Sequence, residues 1–334
     1  MTTEPRFPLV TLQALPDASQ TWVALRLSGE RPLDTPALVR LLNGFGLAEV
    51  LIDLPCVVCV DLASFDAAPL ASFAPRLQLA LTAVAATDPA LEPIRVALSA
   101  AGYTLLSSEA LPQAGQTIAA EVPSKKEAPT RGLLLKLMTL VTSDADTDEI
   151  EAVVKRDPNL SYQLLKLVNS VAFAPGKKIT SFGQAIAMLG RRQLQRWLQL
   201  LLYARQAGSQ HPSPLLPRAA QRAGLMEALA KRQGLSHEMQ DHAFMVGMFS
   251  LLDQLFGMPV VEVIKPLNLP DPVVQGLTLG EGPLGALLAA VVAGDGPLTA
   301  ALSEIVVRTG IAPEDWAAAQ VEAIRWAVQV SKEA

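Results

Sequence analysis

Histidine, cysteine and aromatic side chains are scarce in this chain, and each shortage closes off a kind of chemistry. Three histidines occur in 334 residues: His211, His237 and His242. Water activation by a one- or two-metal phosphohydrolase needs several His and Asp side chains converging on one point. Three scattered imidazoles are a poor supply. His211 lies in a Ser/Pro-rich stretch and His237 at a helix start. His242 follows Asp241 in the order Asp-His, and no histidine comes after it. Surface or helix-cap roles are the expectation for all three, with no metal, no cofactor and no catalytic residue. The two cysteines, Cys56 and Cys59, form a C-x-x-C inside an apolar tract that reads as a strand. Strand residues three apart point to opposite faces, a poor geometry for a disulfide. Two thiols cannot close a zinc site without partners, so both are expected to be buried structural cysteines.

Aromatics make up 5% of the residues, so the cores are to be built from Leu, Val and Ala. Net charge is −5, which disfavours a general nucleic-acid surface. The most apolar tract near the C-terminus, Leu284 to Val292, is too short to span a bilayer. Residues 1–20 show no basic start followed by an apolar core, so a cytoplasmic location is expected. The glycine-rich GEGPLG run (280–285) lacks the Lys and hydroxyl of a nucleotide loop, and no G-x-S-x-G elbow occurs.

What is present is a folding composition: half the residues are apolar and only 18% are charged. The first hundred residues alternate strand-like and helical signals. TWVALRL (21–27) and EVLIDLPCVVCVDL (49–62) read as strands, the second divided at Pro55. Residues 36–42 read as a short helix entered at Thr35, and 76–86 as strand or helix. LEPIRVALSAAGYTLLS (91–107) reads as helix, glycine, strand. This alternation argues for a small α/β domain over 1–120. A polar, proline-broken linker follows at 121–130. Residues 131–334 then form an all-helical domain with a C-terminal helical extension. Residues 1–125 carry 7 basic and 12 acidic side chains, and residues 126–334 carry 20 of each, so the halves differ in kind. Asp146 with Glu149 looks like a capping box. Asp157 followed by Pro158 looks like a second helix start. Helices are then expected near 191–205, 216–233, 238–256, 260–265, 271–276, 283–293, 297–309 and 313–331.

Charge is concentrated in one place. Between Lys155 and Arg205 nine basic residues face a single acid, Asp157, a local balance of +8 in an acidic chain. Lys177 and Lys178 fall in a loop, and Arg191, Arg192 and Arg196 open the next helix. Arg192 and Arg196 share a face at i,i+4. The dipole does not favour arginine at a helix start, which points to a use beyond helix stability. A protein partner, a contact with the acidic first domain, a phosphate ligand and a plain solvated face all fit. Asn169, at the end of one helix, is read as closing it through backbone bonds. Gly190 is read as a helix breaker, and Trp197 as a packing anchor.

RDPNLSYQLLKLVNS (156–170), KKITSFGQAIAMLGRRQLQRWLQLLL (177–202), DHAFMVGMFSLLDQLFGMPVVEVI (241–264) and GEGPLGALLAAV (280–291) resemble the HDOD family. That family is a helical relative of the HD phosphohydrolases. The resemblance covers roughly residues 130–295 and looks like the subfamily in which HDOD follows an EAL-like domain. It implies a five-helix core with extra helices, a regulatory role and no hydrolase activity. Residues 91–107 are similar to an EAL segment whose strand normally ends in paired aspartates, but here Ser107 and Ser108 follow GYTLL. Glu109-Ala110-Leu111 follows that strand rather than standing early. The resemblance therefore implies a truncated, metal-free EAL-like barrel remnant ahead of the HDOD domain. The function expected is non-catalytic signalling through protein contacts. The alternatives are a cyclic-dinucleotide or phosphate sensor on the basic face, and a residual phosphohydrolase.

Overall fold

The computed structural model describes residues 7–17, 21–60, 65–81, 88–107, 128–143, 145–154, 190, 192, 194–196, 198–201, 203, 213–296 and 298–333. The chain divides into two compact units. One comprises Met1–Ile118, Gly224–Gln240 and Ala286–Arg325; the other comprises Ala119–Ala223, Asp241–Gly285 and Trp326–Ala334.

The first unit is built on a five-stranded sheet in sequential order. β1 (Val10–Pro16) and β2 (Trp22–Gly29) pair antiparallel. β3 (Cys56–Cys59), β4 (Leu77–Leu81) and β5 (Thr104–Ser107) each add in parallel. The register aligns Leu12, Leu27, Val58, Leu79 and Leu105 in one aliphatic row across all five strands. Strands buried on both faces read as near-continuous apolar runs, as CVVC in β3 does, and the tract at 76–86, open between strand and helix in the sequence, is strand over Leu77–Leu81.

β1 does not stand out. Its two polar side chains, Thr11 and Gln13, are buried, so no polar face marks it as a strand. The run around Pro55 is indeed two elements, but the first is a short helix, α2 (Leu47–Val50). Gly46 admits it in the left-handed region at φ 78°, and Pro55 lies just ahead of β3. α1 (Thr35–Val39) starts one residue earlier than expected, because Asp34 caps it by accepting from the Ala37 N–H at 2.9 Å. α3 (Glu92–Ala100), Gly102 at φ 90° and β5 follow the expected helix-glycine-strand order.

Helices from far along the chain complete this unit. α12 (Ala300–Arg308) and the Pro313–Arg325 part of α13 (Pro313–Glu333) belong to it. On α13, Trp316 Nε1 donates to the Val10 carbonyl at 2.9 Å, and Gln320 Nε2 donates to the same oxygen at 3.0 Å. The Leu12 N–H donates to Gln320 Oε1 at 2.9 Å. An indole and one amide thus satisfy an edge that would otherwise recruit another strand.

The second unit is helical where it is described. α4 (Ala128–Thr142) and α5 (Thr147–Val154) open it, and α5 begins directly after Asp146. The expected linker 121–130 lies mostly outside the described residues. Described residues between 190 and 203 are helical. α6 (Leu215–Arg232) contributes to this unit as far as Ala223, and α7 (His237–Phe249) from Asp241 onward. α8 (Leu252–Phe256), α9 (Val260–Ile264) and α10 (Asp271–Thr278) follow, and α11 (Gly282–Gly294) belongs to this unit only as far as Gly285. The helix expected over 238–256 is broken at Ser250–Leu251. Gly247 lets α6 and α7 touch, since a Cβ there would lie 2.6 Å from Ala223 Cα and from the Arg222 carbonyl oxygen.

Candidate functional site on the 190–203 segment and α7

Gly190 stands at the start of this segment with φ 73°, a left-handed conformation that favours glycine. Arg192, Gln195, Arg196, Gln199 and Tyr203 then fall on one face at helical spacing, and that face lies along α7. Arg192 Nε and Arg196 Nη2 meet the same oxygen, Asp241 Oδ1, at 2.5 and 3.0 Å. The Arg196 guanidinium also stacks on the Phe244 ring, 4.3 Å from its centroid, a cation–π contact. Phe244 meets Trp326 edge-to-face at 5.5 Å. Gln195 Nε2 reaches Met245 Sδ at 3.4 Å, and the buried Tyr203 hydroxyl donates to the Met248 carbonyl at 2.6 Å. Burial pushes the Tyr203 hydroxyl pKa well up.

Two of the five expected surface residues therefore share one internal carboxylate. Arg192 remains half exposed, and Arg196 is mostly covered. Lys177, Lys178 and Arg191 lie outside the described residues, as do Asp157, Pro158, Asn169 and Trp197. Asp241 and Phe244 were not singled out by the sequence reading. The signal that could have found Asp241 is two arginines at i,i+4 with no acid within reach on their own helix.

The histidines do not converge. His237 is exposed at the start of α7, whereas His242 is buried, contrary to the surface or cap role expected of it. Five residues apart on one helix, the two point about 140° away from each other. The His242 Nδ1 atom is buried without a hydrogen-bond partner. His211 lies outside the described residues. Among the described residues, no three His, Cys, Asp or Glu side chains are grouped so as to hold a metal ion.

At the end of α7, Ser250 Oγ donates to the Gly247 carbonyl at 2.7 Å and accepts from Arg222 Nη1 at 2.9 Å. A buried guanidinium thus sits by the carbonyl end of the helix, where the dipole favours a cation. In the first unit a groove of about 710 Å³ is lined by Phe7, Leu9, Glu30, Ser303, Val307 and Ile311 among others. Ser303 donates to Glu30 Oε1 there at 2.9 Å. The groove contains none of the residues expected to be functional. Among the described residues, no single helix is long and apolar enough to cross a membrane.

Residues 129–261 match the HDOD domain family, so the chain carries an HDOD domain. The chain is similar to the cyclic di-GMP phosphodiesterase CdgJ of Vibrio cholerae, at 30% identity over 189 residues, 57% of this chain and 43% of that protein. It is also similar to the uncharacterized protein YuxH of Bacillus subtilis, at 35% identity over 126 residues, 37% of this chain and 30% of that one. The chain thus spans less than half the length of either curated relative. Among solved structures, a Shewanella amazonensis protein with a provisional phosphohydrolase name aligns at 16% identity and a TM-score of 0.38, covering 61% of this chain and 94% of its own.

Proposed function

We propose that this chain is a non-catalytic signal-transduction protein whose HDOD domain acts through protein contacts. The observation that carries this reading is the placement of the histidines. Two of the three lie on different faces of α7, one exposed and one buried, which does not suit shared ligation of a metal. The half-exposed Arg192, ordered by Asp241 beside the stacked Arg196, supplies a charged feature that a partner could recognise. The sheet of the first unit is read as a degenerate, metal-free EAL-like remnant. Its run of parallel strands and the serine at the end of β5 support that reading.

A second reading is a cyclic-dinucleotide sensor on the basic 155–205 face. The local charge of +8 and the likeness to CdgJ favour it, and the engagement of Arg192 and Arg196 by Asp241 weighs against it.

The test joins two measurements on the full chain. Incubation with cyclic di-GMP and Mg²⁺ or Mn²⁺ is expected to yield no linear or mononucleotide product; metal-dependent turnover would overturn the non-catalytic reading. Partner capture from source-cell lysate is expected to succeed with the intact protein and to fail with an Arg191→Glu/Arg192→Glu variant. Equal capture by both would move the contact off the basic face. Saturable, salt-sensitive cyclic di-GMP binding that the double variant loses would favour the sensor.

A further inference from the structure

One buried group between the 190–203 segment and α7 is chemically out of place. Gln199 has no exposed surface, and neither its amide nitrogen nor its amide oxygen has a hydrogen-bond partner. It lies four residues after Gln195, which meets Met245, and four before Tyr203, which bonds Met248. The contacts run 192 and 196 to 241, 195 to 245, and 203 to 248, so the two helices are parallel and Gln199 faces the Met245–Met248 stretch.

A leucine at this position would bury no unsatisfied polar group, and Leu198, Leu200 and Leu201 surround it in sequence. A buried amide without partners forfeits the bonds it would make to water. The ends of the same seam are also polar. At one end Arg192 and Arg196 both meet Asp241 Oδ1, on a carboxylate that is partly exposed. At the other end one hydroxyl holds one carbonyl. An orphaned amide set among the buried Tyr203, Met245 and Met248 lowers the cost of opening this seam locally.

We propose that the contact between the 190–203 segment and α7 is a breakable joint, with the Gln199 amide as its weak centre and the Arg192/Arg196–Asp241 cluster as its latch. Opening lets water satisfy the amide, and closing orphans it again. This inference does not rest on the proposed function, because it concerns how the domain moves and not what it binds.

Hydrogen exchange on the full chain, followed by mass spectrometry, tests it. Peptides covering 241–248 are compared with peptides covering 216–223 of α6. Both stretches are well buried, so burial alone predicts equal protection. The joint predicts exchange about tenfold or more faster in 241–248. Gln199→Leu is expected to slow exchange there by about tenfold or more and to raise the melting temperature. Asp241→Asn is expected to speed it while leaving 216–223 unchanged. Gln199→Met is a second variant should leucine not fit. Equal protection of the two stretches in the wild type would overturn the proposal. So would a fast 241–248 stretch that neither Gln199 variant slows.

Discussion

Gln320 shows how much one side chain can hold at a strand edge. Its amide accepts from Leu12 and donates to Val10, so Gln320→Ala orphans a buried N–H and leaves the Val10 carbonyl to Trp316 alone. The expected cost is about 1–3 kcal/mol, read as a lower urea midpoint with an unchanged slope. Cys56 makes a pH prediction. Burial pushes its thiol from 9.0 up to about 12 and raises that of the half-covered Cys59 as well. Between about pH 9 and 12 the unfolded state therefore binds fewer protons, and stability falls as pH rises through that window. Cys56→Ala is expected to flatten this alkaline decline in urea melts at pH 7, 9 and 10.5. Iodoacetamide at pH 8 is expected to spare Cys56 until the protein is unfolded. The expectation of buried cysteines fits Cys56 in β3, which pairs with Leu25 on one side and Leu77 on the other, but Cys59 at the strand's end is only partly covered.

At the scale of elements, the crossing of α6 and α7 and the break after α7 are the sensitive features. A methyl group at Gly247 would collide with the α6 backbone, which cannot yield as a flexible side chain would. Gly247→Ala is expected to cost about 1–3 kcal/mol or more, measured by thermal unfolding. Ser250→Ala removes both the hydroxyl's bond to the Gly247 carbonyl and its bond from Arg222. It is expected to cost about 1 kcal/mol or more and to loosen α8 first, seen as faster amide exchange over 252–256. The break at Ser250–Leu251 was invisible in the sequence, because neither proline nor glycine stands there. Ser250 at the break is held by its bond to Gly247 and by the Arg222 guanidinium from α6, 28 residues earlier.

For the whole molecule, the first unit is discontinuous in sequence: Met1–Ile118 folds with segments that begin more than a hundred residues later. A fragment ending at residue 118 lacks Trp316 and Gln320, so its β1 edge is uncovered. It is expected to be aggregated or unfolded in size-exclusion chromatography and far-UV circular dichroism. A fragment that ran as a folded monomer would show that the late helices are dispensable to the sheet.

Periodicity, caps and glycines by themselves determined most of the helices after residue 215, the helix-glycine-strand step at 92–107 and the tracts of β2 and β3, but left 76–86 open between strand and helix. These are local signals: an apolar stripe, a proline at a helix start, a residue at positive φ. The charge count likewise located a basic cluster from the sequence alone. Only the tertiary structure decided that α13 closes the β1 edge, that Asp241 holds both arginines, that His242 is buried and that Gln199 is left without a partner. Each depends on which side chains meet across gaps of tens to hundreds of residues. A single sequence does not encode such pairings in its local pattern, because an amide, an imidazole or a carboxylate carries the same letter whether its partner is water, a backbone group or nothing.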